Sequence, residues 1–393
     1  MEELAERGWS KEYEAWRNGS GLAVRKRKER RSAWAGVASV LLLLGMWCAP
    51  GYAAEAQEPV VLTPFEIVEL GLEADANLKI AKLNLDNAEI AYQRNVANNL
   101  LVNSAQAAFN AEVEWKRAQA NYQGQVADAV ISLLQQAIDL RRAELRAQVE
   151  EIRISLARLE YERARERVRA GIANEDSLVE AELALVGREL EFDEVSISLE
   201  NQRESLANRI GVRHFSLGAM PEFMPYSVDV EAALPKALES SADWLDSRAG
   251  VENARREVER LNLEGAPPLD IRQAENHVAI AEIRLASVER QLKESLESAA
   301  RTINRTAVNY EIAVRQLELA QRRLAITQRQ AEAGFVTQDT VSNARIQALE
   351  AESARLEALK NYLVAVLNFE KLIGADLRES VVLRGGPHDG EAS

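Results

Sequence analysis

The chain runs through one pattern twice. The stretch Ala170-Gly171-Ile172-Ala173-Asn174-Glu175-Asp176 corresponds to Ala333-Gly334-Phe335-Val336-Thr337-Gln338-Asp339, an offset of 163. The same offset aligns Ile210-Gly211 with Ile373-Gly374. A fixed long period marks a repeated supersecondary unit whose copies must cover one another's apolar faces. The sequence therefore divides into a first helical repeat, 63–215, and a second, 229–376. Residues 216–228, with Pro221 and Pro225, form the linker.

Each repeat reads as helix almost throughout. No proline occurs between Pro64 and Pro221, and Ala, Leu, Glu, Arg and Gln dominate. Thr63-Pro64-Phe65-Glu66 has the form of a capping box with proline at the first helical position. A first helix is predicted over about 74–96, weakly interrupted by Asn98, Asn99 and Asn103; its counterpart ends at Glu264-Gly265-Ala266-Pro267-Pro268. Long helices follow, about 104–169 and 269–332. Gly171 and Gly334 are expected as left-handed caps, and Asp176 and Asp339 as N-caps of closing helices over 177–210 and 340–373.

Apolar residues recur at three- and four-residue steps along the long helices: Val126, Val130, Leu133, Ala137, Leu140, Leu145, Val149, Ile152, Leu156 and Leu159 in one, Leu296, Ile303, Tyr310, Leu317 and Leu324 in the other. That is a coiled-coil seam. A helix of about 66 residues is roughly 100 Å long, and the two shorter helices of a repeat nearly match it laid end to end. Each repeat is then a rod two helices thick with apolar edges left over, so assembly with further copies is expected. The fold class is all-α: tandem-duplicated long antiparallel coiled-coil helical hairpins.

The chain begins with a basic run, Arg25-Lys26-Arg27-Lys28-Glu29-Arg30-Arg31, an apolar stretch over 33–49 and small residues to Ala56. That order is the expectation for a signal peptide over 1–54 with a long basic leader, and for an exported protein of the periplasm or outer membrane. Cys48 is the only cysteine and falls inside this segment. Residues 55–393 carry 39 Lys+Arg and 56 Asp+Glu, a net charge of −17 that repels nucleic acid. The tail, 377–393, is polar and Gly-rich and is expected to be disordered.

Chemistry-bearing patterns are missing. His214, His277 and His388 are scattered with no carboxylate at metal-ligand spacing, and no phosphate loop or nucleophile elbow occurs. No cofactor or metal and no enzymatic activity is expected. Arg163, Arg165, Arg167 and Arg169 suit the negative end of a helix dipole.

The repeat spacing, the helix lengths and the two glycine turns resemble the TolC-like outer-membrane efflux proteins over about 63–376. The resemblance implies a homotrimer whose helices form a hollow α-barrel, working in an efflux or type I secretion system with a periplasmic adaptor and an inner-membrane transporter. It implies that the adaptor meets the two turns, at Gly171, Asn174, Glu175 and Asp176 and at Gly334, Thr337, Gln338 and Asp339. Members of that family insert a β-hairpin between the short and long helices of each half to build a membrane barrel. Here only about 96–105 and 262–271 are available, and a spanning strand needs about ten residues. No membrane β-barrel is therefore expected. The alternative function is a periplasmic coiled-coil spacer or tether without transport activity.

Overall fold

The computed structural model describes residues 60–102 and 105–378, all within one unit that spans 56–393. The expected signal peptide, 1–54, and residues 379–393 of the expected tail, 377–393, lie outside the described residues. In chain order the elements are β1 (Val60–Leu62), α1 (Pro64–Ala74), α2 (Ala76–Val102), α3 (Ala105–Arg169), α4 (Glu175–Ile210), β2 (Phe215–Leu217), α5 (Val230–Ser240), α6 (Ala242–Glu264), α7 (Pro268–Glu332) and α8 (Gln338–Leu372). Helix lengths run 11, 27, 65 and 36 residues, then 11, 23, 65 and 35.

Local chemistry sets most boundaries. Thr63 accepts the Glu66 N–H at 3.3 Å while the Glu66 carboxylate accepts the Thr63 N–H at 2.7 Å, so the capping box is formed. The helix expected over about 74–96 runs 76–102, through Asn98 and Asn99, and a separate helix, α1, precedes it across Asp75. The Asp75 carboxylate takes the N–H of Asn77 at 2.8 Å, offering the backbone a partner that competes with continued helix. Ser241 does the same work between α5 and α6, accepting the Trp244 N–H at 3.3 Å. At the far end of α6, Gly265 (φ 70°) closes the helix and Pro268 opens α7.

Within each half the long helix carries the others along its flanks: α1, α2 and α4 on α3, and α5, α6 and α8 on α7. The halves join where α3 packs against α8 and α6. The apolar core is concentrated midway along α3, at Val130, Leu133, Leu134, Ala137 and Ile138, beneath Ile67 and Val68 of α1 and against Leu356, Leu359, Val366 and Leu367 of α8. Gly71 lets α1 approach closely; a Cβ there would sit 2.6 Å from the Leu133 methyls. The predicted seam is buried from Val126 to Val149 but thins beyond, and Leu159 is exposed while Ile154 is buried instead.

Residues 216–228 are more than a linker. Phe215–Leu217 pairs in parallel with Val60–Leu62, tying the start of the first half to its end. Phe223 then stacks on Tyr310 with ring centroids 4.7 Å apart, and also packs on Tyr362 at 4.6 Å. After α8, Leu377 is buried and the Arg378 guanidinium donates to the Tyr122 hydroxyl at 3.4 Å, so the packing of the second half includes residues 377 and 378, which were expected to belong to the tail.

Candidate functional site

Both glycine turns lie at one end of the molecule. In the first, Gly171 (φ 69°) lets its own N–H reach the Val168 carbonyl and the Ile172 N–H reach that of Arg167, each at 2.9 Å. In the second, Gly334 (φ 77°) does the same toward Ala331 at 3.0 Å, with Phe335 bonding Gln330 at 2.8 Å. This pair of bonds satisfies helix-terminal carbonyls and needs a left-handed residue at the glycine.

The N-caps differ from expectation. Asn174, not Asp176, caps α4: its carbonyl oxygen accepts the Ser177 N–H at 3.2 Å. Thr337, not Asp339, holds the cap position of α8, with its hydroxyl 3.1 Å from that of Thr340. Asp176 and Asp339 sit one residue inside the first turn, where negative charge meets the positive end of the helix dipole. Both residue types suit a cap; at α4 the register follows the Asn174 side-chain oxygen, which reaches the N–H three residues on, whereas at α8 the Thr340 N–H bonds the Thr337 backbone carbonyl.

Sequence reasoning passed over two residues. Ile172 and Phe335, just after the glycines, are 77% and 82% exposed. In this motif an apolar residue at that position usually packs back on its own helix. Here both stand outward and give the end an apolar tip. Their signal was present: each directly follows the turn glycine, Ile172 as the one large apolar residue of its turn and Phe335 beside Val336 in the other.

One contact links the two turns. The Arg163 guanidinium, near the end of α3, forks onto both oxygens of Asp339 at the start of α8. That hydrogen bond raises the Arg163 pKa above its already high value. The neighbouring arginines pair within their own helix, Arg165 with Glu162, Arg167 with Glu160 and Arg169 with Glu166.

The Arg163 contact ends a ladder of ion pairs up the α3–α8 seam. Arg153 meets Glu350 at 2.7 Å, Arg142 meets Glu357, Lys360 meets Asp139 at 2.7 Å and Lys371 meets Asp128 at 2.5 Å. Beside the ladder a cleft of about 1020 Å³ opens between α3, α4 and α8, with Leu145, Val149 and Val195 among its lining and Arg188, Glu191 and Glu350 also facing it. Toward the turns the ion pairs run beside buried apolar residues, Ile154 and Ala164 of α3 and Val341, Ile346 and Ala348 of α8. Replacing Arg163 with Glu should raise hydrogen exchange at residues 334–340. The paired swap Arg163→Glu with Asp339→Arg should restore protection. Equal exchange in all three proteins would mean the pair does not hold the turns together.

No family model matches the chain, and no curated protein matches it by sequence. Solved structures do. The CmeC outer membrane channel of Campylobacter jejuni superposes with a TM-score of 0.56 at 12% identity, covering 88% of this chain and 94% of that one. The outer membrane protein VceC of Vibrio cholerae gives 0.54 at 14%, covering 79% and 96%. The fold is that of the outer-membrane channels. The outer-membrane channel OprN also matches, with a TM-score of 0.54 at 15% identity over 89% of this chain and 99% of that one.

The connections between the short and long helices are brief in both halves. Only residues 103–104 join α2 to α3, and only 265–267 join α6 to α7. Two spanning strands of about nine to eleven residues each do not fit in either connection. Among the described residues no helix is long and apolar enough to cross a membrane.

Proposed function

We propose that this chain is a TolC-like conduit component of an efflux or type I secretion system, exported and assembled as a homotrimer into a helical tube. On this reading it arose by internal duplication. A periplasmic adaptor, leading to an inner-membrane transporter, meets the tips at Gly171, Asn174, Glu175, Asp176, Gly334, Thr337, Gln338 and Asp339, and Ile172 and Phe335 supply the apolar contacts. The fold supports the conduit, and the matched lengths of the helices support the duplication.

The observation that carries the assembly is a pair of uncovered edges. In the half nearest the turns, α3 and α8 lie inside, while α4 and α7 each have one uncovered flank. The α4 flank exposes Val179, Leu183, Val186, Leu190 and Ile197; that of α7 exposes Val308, Ile312, Leu319 and Ile326. Both follow heptad spacing, which is the pattern of a coiled-coil seam. The stripes also match in height. Ile326, Leu319 and Ile312 stand 6, 13 and 20 residues before the end of α7 at Glu332. Val179 and Leu183 stand 4 and 8 residues after the start of α4 at Glu175, Val186 and Leu190 stand 11 and 15 after it, and Ile197 stands 22 after it. Net charges complement too: residues 179–197 of α4 carry six carboxylates against Arg188, and residues 305–326 of α7 carry four arginines against Glu311 and Glu318. Joining α4 of one copy to α7 of the next is a head-to-tail contact, which closes into a ring.

The test is the mass of the exported chain by light scattering, with and without detergent. A trimer is expected, and Leu183→Glu with Leu190→Glu should reduce it threefold to the monomer. A monomer or dimer under both conditions would sink the conduit reading and leave the spacer or tether. A trimer that survives the double substitution would move the interface away from α4.

A further inference from the structure

We propose that the cleft between α3, α4 and α8 is a binding site for a small organic ammonium ion, held by the Glu150 carboxylate. Glu150 lines that cleft from α3 and is 5% exposed. Its Oε1 accepts from the Arg153 guanidinium at 2.7 Å. Its Oε2 is buried, and no donor among the described residues bonds it. A buried charged acceptor without a donor is costly, because the water it gave up is not replaced.

The shortfall is one of charge. Arg153 serves two carboxylates at once: its other terminal nitrogen donates to Glu350 of α8, also at 2.7 Å. The neighbouring pairs cannot spare a cation. Arg142 is taken by Asp139 and Glu357, and Arg188 by Glu191. The lining as a whole holds five carboxylates against four arginines, so one added positive charge balances it.

The surroundings select the kind of cation. Among the described residues no three His, Cys, Asp or Glu side chains are grouped as a metal site needs. An ammonium has three donors, and one is enough for the free oxygen. Leu145, Val149, Val195 and Leu349 offer an apolar wall to the rest of the guest. At about 1020 Å³ the cleft has the size of a small-molecule site. Helices α4 and α8 both pack on α3 and scarcely on each other. A guest seated between them therefore ties one wall of the cleft to the other.

The site lies within one chain and goes beyond the conduit reading, so its failure would leave that reading untouched. Benzylammonium, titrated into the exported chain at neutral pH and followed by calorimetry, should bind once per chain. Benzyl alcohol, of the same shape without the charge, should bind more weakly by about tenfold or more. Glu150→Gln should weaken benzylammonium to the level of the alcohol while the helical circular dichroism is unchanged. If that variant does not fold, Glu350→Gln is the second probe. Glu350 is exposed, and its loss leaves Arg153 to Glu150 alone, so the deficit and the binding should both disappear. The proposal is overturned if benzylammonium does not bind, if the alcohol binds as well, or if binding survives the substitution. The first result would mean that water alone serves the free oxygen, the second that the cleft takes any apolar guest, and the third that the cation sits elsewhere.

Discussion

Replacing Tyr362 with alanine should cost the folded chain about 3–5 kcal/mol, the range for deleting a large aromatic from a packed core. Tyr362 is 2% exposed on α8. Its ring packs on Phe223, which in turn stacks on Tyr310 of α7, and its hydroxyl donates to the Met224 carbonyl at 2.7 Å. This ring stack thus holds the connection between the halves onto the long helix and the closing helix of the second half, α7 and α8. Alanine removes the ring, leaves a void and strands a carbonyl. Phenylalanine keeps the ring and loses only the hydrogen bond, so Tyr362→Phe should cost about 1 kcal/mol. Urea unfolding of the two variants separates the contributions. Equal losses would mean that the hydrogen bond, and not packing, orders residues 218–228.

The second large effect is expected at Gly374. Gly211 and Gly374 occupy matching places after α4 and α8, with φ of 74° and 67°. A side chain at either residue incurs the left-handed penalty of about 1–2 kcal/mol. At Gly211 nothing else opposes it, because no atom lies within 4 Å of an added Cβ. At Gly374 that Cβ would fall 2.3 Å from the Ser240 Cβ, an overlap that forces the end of α5 away from α8. Overpacking of this kind adds about 1–3 kcal/mol. Gly374→Ala should therefore destabilise by about 2–5 kcal/mol, and Gly211→Ala by about 1–2 kcal/mol. Adding Ser240→Gly to Gly374→Ala should recover the overpacking part and leave the backbone part. If both alanines cost the same by thermal or urea unfolding, the contact with Ser240 carries nothing.

The contrast between these two glycines shows what was legible. Their equivalence could be read from the 163-residue offset, and so could their left-handed conformation, because only local sterics are involved. That one touches α5 and the other touches nothing could not be read, because Ser240 is far from Gly374 in the chain. The turns behaved likewise. Gly171 and Gly334 stand where the pattern placed them. The caps slipped from Asp176 and Asp339 to Asn174 and Thr337, since several polar residues in a row can each serve and geometry selects among them. Arg163 looked like a helix-end cation, and its actual partner, Asp339, lies across the molecule in the other half.

By itself the sequence determined the long and closing helices, their lengths, the glycines where they stop and the lack of room for spanning strands at either connection, but not the breaks at Asp75 and Ser241. Those properties follow from composition, periodicity and short-range capping, which act within a few residues. Tertiary structure alone decided where the apolar core gathers, that residues 216–228 are bound into it by stacked rings, and that charge pairs flank it and continue along α3 and α8 toward the turns. It also decided which apolar side chains stay uncovered, at Ile172 and Phe335 on one end and at Leu263 and Leu269 on the other. A helix pattern says which faces are apolar; only the packing of all the helices says which of those faces find a neighbour, because burial depends on contacts between residues far apart in the chain.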